Sequence, residues 1–122
     1  MLTDRNNVFG MIKASHGLKP ILRAIAGLVA DGGRAAISRS GFDGATKVRM
    51  TTDAADFEST PLGGGEHLLN GGVGGSIDEV LEFVRALSGA LSEARVEHRF
   101  EVYDNDNQLV QIIPLPTGEH EQ

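Results

Sequence analysis

The chain has no cysteine and no tryptophan. The first absence excludes a disulfide framework, a cysteine-ligated metal and thiol chemistry. The second, with aromatics at only 5% of residues, leaves few large rings for a core or an interface. No apolar run approaches the roughly 18 residues of a membrane-spanning helix, and the first residues lack a signal-peptide pattern. A soluble cytoplasmic protein without membrane contact is the expectation. No lysine follows Lys47, which removes the phosphate-loop motif from everything downstream.

What is present is an acidic chain of 122 residues with net charge −6, long enough for a single domain with one core. The charge is uneven. Residues 1–61 hold 8 Lys/Arg against 6 Asp/Glu, and residues 62–122 hold 3 against 11. Such a balance disfavours non-specific nucleic-acid binding and steers toward a basic partner.

The clearest local signals lie between Ser76 and Pro114. Ser76-Ile77-Asp78-Glu79 reads as a capping box. Behind it Ile77, Val80, Leu81, Val84, Leu87 and Leu91 recur at helical spacing, predicting a helix over about 77–94. Val96 to Tyr103 then alternates with period two, turns at Asp104-Asn105-Asp106-Asn107, and returns through Gln108 to Ile113. Matching apolar to apolar requires a loop with an odd number of residues. This predicts a three-residue loop with Asn107 left-handed and the pairs Val102–Val110, Phe100–Ile112 and Glu101–Gln111.

The first half follows a looser version of the same plan. Val8 to Ile12 is short and apolar, a first strand or a helix lead-in. Lys19-Pro20 opens a helix, Pro20 suiting the first helical position, with Ile21, Leu22, Ile25, Leu28 and Val29 as its stripe and Asp31-Gly32-Gly33 as its stop. A hairpin follows, Arg34–Ser40 against Thr46–Thr52 across Gly41-Phe42-Asp43-Gly44. It sets Ala35, Ile37, Val48 and Met50 on one face and Arg34, Lys47 and Arg49 on the other, with Arg39 misplaced on the apolar side.

The fold class expected is α+β: two helix–hairpin units, about 8–52 and about 76–116, forming an antiparallel sheet with helices on one face. With the first strand included, the order β-α-β-β-α-β plus a final strand is the ferredoxin-like plan; without it, an α-β-β repeat remains. Seven glycines fall within residues 63–75, so about 53–75 reads as a glycine-rich connector. Residues 117–122 read as a polar tail.

The motifs that carry chemistry are mostly refused. Gly72-x-Gly74 lacks the third glycine of a dinucleotide fingerprint, and Asp78 and Glu79 would repel a phosphate. An EF-hand starting at Asp104 would want glycine where Leu109 stands and glutamate where Leu115 stands. His16, His67, His98 and His120 show no metal-ligand spacing, so neither metal nor cofactor is expected. His98 lies on the inner face as a hydrogen-bonded structural residue. His67, beside Glu66 in the glycine-rich segment, is the one candidate for catalysis or ligand binding. Arg34, Lys47 and Arg49 are weak candidates for phosphate contact.

The outward face of the second hairpin, given by Arg99, Glu101, Tyr103, Leu109, Gln111 and Ile113, mixes charge, an aromatic and aliphatics as an interface does. The functional expectation is a small non-enzymatic protein-binding module, a regulator or inhibitor of a larger protein, acting through its open sheet face. A basic protein partner, a homodimer, or both are the partners expected. The alternative is a ligand binder or enzyme whose glycine-rich loop closes over a pocket with His67 and Glu66.

Overall fold

The computed structural model describes residues 6–29, 33–39 and 46–114. Seven strands and two helices follow in the order β1 (Val8–Lys13), α1 (Lys19–Ala26), β2 (Arg34–Arg39), β3 (Thr46–Thr51), β4 (Ala55–Gly63), β5 (Glu66–Val73), α2 (Ile77–Glu93), β6 (His98–Tyr103) and β7 (Leu109–Ile113). The strands form one antiparallel sheet in the order β2-β3-β4-β5-β1-β6-β7. The class is α+β, but four strands separate the helices rather than two. The ferredoxin-like order and the plan of two repeated units are therefore not this fold. The expected turn at Gly41–Gly44 and the tail 117–122 lie outside the described residues, whereas α1 ends at Ala26 with Gly27 as its C-cap, short of the stop expected at Asp31-Gly32-Gly33.

The correction concerns residues 53–75. They are not a connector: they supply β4 and β5, and β5 is an interior strand. Gly63 pairs with Glu66, and Gly64 and Gly65 between them have φ of 63° and 83°. A two-residue hairpin loop with both φ positive follows the strand twist, and glycine enters it without a Cβ clash. The glycines therefore close a tight hairpin instead of loosening a linker.

Alternation places the core. In β1, Val8, Gly10 and Ile12 face inward while Phe9, Met11 and Lys13 face outward. Register carries the inward row across the sheet through Leu69, Phe57, Met50 and Val48 to one side and through Phe100 and Val102 to the other, all fully buried. Helix α1 adds Ile21 and Ile25 to this layer, and α2 adds Val80, Val84, Leu87 and Leu91. Phe83 of α2 stacks on Phe57 with ring centroids 6.0 Å apart. Both helices thus cover one face and leave the other open.

Local chemistry explains α2. The Ser76 hydroxyl accepts from the Glu79 N–H at 3.2 Å, and the Glu79 carboxylate accepts from the Ser76 N–H at 2.8 Å. These bonds hold the Glu79 pKa below its ordinary value. At the far end Val96 donates to the Leu91 carbonyl and Arg95 to that of Ser92, with Arg95 at φ 61°. This is a Schellman stop in which arginine takes the place usually held by glycine. Mid-helix Gly89 is exposed, and a Cβ built there meets nothing within 4 Å. Gly89→Ala should therefore stabilise the protein by about 1 kcal/mol, the helix-propensity difference, read as a higher urea midpoint at unchanged m-value.

The β6–β7 hairpin keeps its expected turn and loses its expected register. Asp104 donates to the Gln108 carbonyl, closing a three-residue loop with Asn107 at φ 61°. Asp104 Oδ1 accepts from the N–H groups of Asp106 and Gln108. Tyr103 pairs with Leu109, but Val102 then pairs with Gln111 and Phe100 with Ile113. Val110 is the extra residue of a β-bulge, and every position beyond it changes face.

Candidate protein-docking face

The open face is built from the outward residues of each strand, and register aligns them in rows. Asn70, Phe9, Glu101 and Ile112 form one row across β5, β1, β6 and β7. Leu68, Met11 and Arg99 form the next. Glu66 pairs with Lys13 at the end of the sheet, where the Lys13 N–H donates to the Glu97 carbonyl. Between β5 and β6 these rows enclose a shallow groove of about 460 Å³ running along β1.

Apolar side chains make its floor. Phe9 is 40% exposed and Met11 44%, although both belong to an interior strand. The Phe9 ring meets Tyr103 edge to face, with centroids 5.6 Å apart and planes at 85°, a geometry that suits the ring quadrupoles. The Tyr103 hydroxyl donates to Glu101 Oε1 at 2.9 Å, and this bond, aided by burial and by the Glu101 charge, raises the phenol pKa. Arg99 reaches Glu101 at 3.3 Å and Lys13 reaches Glu97 at 3.8 Å. The result is an aromatic and aliphatic patch bordered by ion pairs.

Of the six interface residues expected from sequence, Arg99, Glu101 and Tyr103 lie on this face. Leu109, paired with Tyr103, joins them at the edge strand. Gln111 and Ile113 do not. The bulge turns them to the helix side, where Gln111 accepts from Arg85 of α2 at 3.1 Å and Ile113 is buried. Ile112 takes the outward place instead. Phe9, Met11 and Leu68 were missed by a reading centred on the second hairpin. The available signal was that Val8-Phe9-Gly10-Met11-Ile12 is apolar at both parities, so a strand there presents apolar groups to both faces.

The other candidates are dispersed. Glu66 and His67 are neighbours on β5 and point to opposite faces. Glu66 borders the groove, while His67 shares the helix side with its partner Ile12. The His67 Nδ1 is buried with no hydrogen-bond partner among the described residues, and burial lowers the imidazole pKa. A pKa below the unfolded value of 6.5 means that the unfolded chain takes up a proton first. The neutral ring's contribution is therefore full above pH 6.5 and lost as pH falls through the folded pKa. His67→Gln should accordingly lose less stability than the parent between pH 7 and pH 5 in urea titrations. Equal losses would show that His67 does not contribute to the pH dependence.

His98 faces inward as expected. Its Nδ1 lies 2.7 Å from the Val96 carbonyl, so it donates, and Nε2 accepts from the Ser88 hydroxyl at 2.7 Å. The pair ties α2 to β6 beneath the groove. Arg34, Lys47 and Arg49 share the open face of β2 and β3 by register. Arg49 is held there by Asp56 at 3.2 Å and Glu58 at 3.7 Å. No group of three or more histidine, aspartate or glutamate side chains placed to hold a metal occurs among the described residues. Nor is any helix among them long and apolar enough to cross a membrane. No family model matches the chain, and no curated protein matches it.

Proposed function

We propose that this chain is a non-catalytic protein-binding module, a regulator or inhibitor that acts by docking its open sheet face on a larger protein. The observation that supports this is the exposure of Phe9 and Met11 on an interior strand. A one-sided antiparallel sheet ordinarily turns polar residues to its free face. Here β1 carries apolar groups on both faces, and the outward ones lie in a groove rimmed by charge, the pattern of an interaction site. Tyr103, Leu68 and Leu109 extend the patch across neighbouring strands. The docking surface therefore centres on β1, with Arg99, Glu101 and Tyr103 along one flank.

The test uses immobilised protein in a native lysate beside a Phe9→Ser/Met11→Ser variant. Both changed positions face outward, so the variant should keep its circular dichroism spectrum and a cooperative urea transition, with the midpoint lowered modestly by loss of the Phe9–Tyr103 contact. The expected result is a protein retained by the parent and lost by the variant. Equal retention by the two, or retention of nothing by either, would overturn the assignment.

A further inference from the structure

Three carboxylates and two cations border the groove along β1, and their pairing is unequal. Arg99 and Glu101 are close at 3.3 Å, and Glu101 is further engaged by Tyr103. Lys13 reaches Glu97 only at 3.8 Å, and the Glu97 side chain is 81% exposed. Glu66, half-buried opposite Lys13, makes no ion pair among the described residues. One ammonium thus stands between two carboxylates at the end of an apolar floor. This end of the groove carries excess negative charge, with both carboxylates able to accept a further hydrogen bond.

We propose that the segment docking in this groove is cationic and apolar, seating aliphatic or aromatic side chains on Phe9 and Met11 and a lysine or arginine against the acceptor oxygens of Glu66 and Glu97 that Lys13 leaves open. This rests on the docking reading and adds the chemistry of the partner. An acidic segment would meet Glu66 and Glu97 as like charges, and the Arg49 guanidinium on the same face is already held by Asp56 and Glu58. A second copy brings the same net charge of −6 and the same carboxylates. A phosphate backbone would be repelled at the same end. Charge complementarity of this kind chiefly raises the association rate and sets specificity.

The probes are two fluorescein-labelled octapeptides, one alternating arginine with leucine and one alternating glutamate with leucine, followed by anisotropy with the full chain. The arginine peptide should bind and the glutamate peptide should not. Glu66→Gln with Glu97→Gln should weaken binding about fivefold, since each solvent-accessible carboxylate contributes modestly. Glu82→Gln with Glu93→Gln, on the exposed side of α2, should change nothing. Equal binding of the glutamate peptide, equal weakening by the α2 pair, or no binding of the arginine peptide would overturn the proposal. If lysate retention still depends on Phe9 and Met11 while peptide binding ignores Glu66 and Glu97, the cationic preference fails and docking stands. If both ignore Phe9 and Met11, the docking reading itself fails.

Discussion

Gly71→Ala should be among the most damaging single-methyl additions this protein can receive, lowering stability by about 3 kcal/mol or more. Gly71 lies inward on β5 opposite Phe57. A Cβ there would run into the Asp56 carbonyl oxygen of the neighbouring strand and the Phe57 ring, whose Cγ is 2.5 Å from the ideal position. The ring has no free rotamer to move into, being fully buried and stacked on Phe83. The carbonyl belongs to the β4 backbone and moves only if the β4–β5 ladder opens. For a chain of this size the loss corresponds to a fall in Tm of about 10 °C. Gly89→Ala is the control, since the same methyl group there meets empty space. Thermal unfolding of the pair separates close approach from any general intolerance of lost glycines. A Gly71→Ala variant as stable as the parent would show that no close packing exists at this position.

Phe100→Ala should cost about 3–5 kcal/mol, and its effect should be coupled to Gly10. Phe100 is fully buried, and its ring covers Gly10 on the adjacent strand, where an added Cβ would strike Cδ1 and Cε1. Truncation removes the ring from the core and uncovers glycine backbone beneath it. The same ring is the main obstacle to a methyl group at Gly10, the Leu69 carbonyl at 2.8 Å being the other. Gly10→Ala should therefore be less costly in the Phe100→Ala background than in the parent. A double-mutant cycle by urea denaturation should give an interaction of about 1 kcal/mol or more in that direction. Strict additivity would mean that ring and glycine do not share the space the geometry gives them.

These two glycines also explain where reading the sequence alone stopped. The α2 capping box and the Asn107 turn were legible because their causes lie within four residues of each other. Strand β6 was legible from its period-two alternation, which placed Arg99, Glu101 and Tyr103 on the correct face. Residues 53–75 were not, because glycine has no side chain to contribute to an alternating pattern. What fills the space at Gly71 is Phe57, fourteen positions earlier, so the strand shows itself only through its partner. The bulge at Val110 was invisible for a related reason. Pairing Val102 with Val110 satisfies apolar matching locally, and only the docking of Ile113 in the core and of Gln111 against Arg85 favours the shifted register. The candidate site was half legible. Its β6 flank followed from alternation, whereas its floor on β1 required knowing that β5 and β6 lie on either side of that strand.

The position of β1 has a consequence for how the molecule assembles. It is the first strand in the chain, yet its neighbours come from residues 66–73 and 98–102. The Asn7 side chain, just ahead of it, extends the ladder by bonding both the carbonyl and the N–H of Val73, 66 positions away. The β2–β3–β4–β5 meander and the β6–β7 hairpin can each form from nearby sequence. The seam that unites them has to wait until the two distant strands are both in place. Loop-closure entropy is then met before most of the compensating contacts form, so the refolding rate should fall in the slower range typical of sheets with non-local pairing. Until that seam closes, β1 is an unpaired strand with Phe9 and Met11 on one side and Val8 and Ile12 on the other. The residues that floor the groove of the finished protein are thus also those that make its unfinished form adhesive.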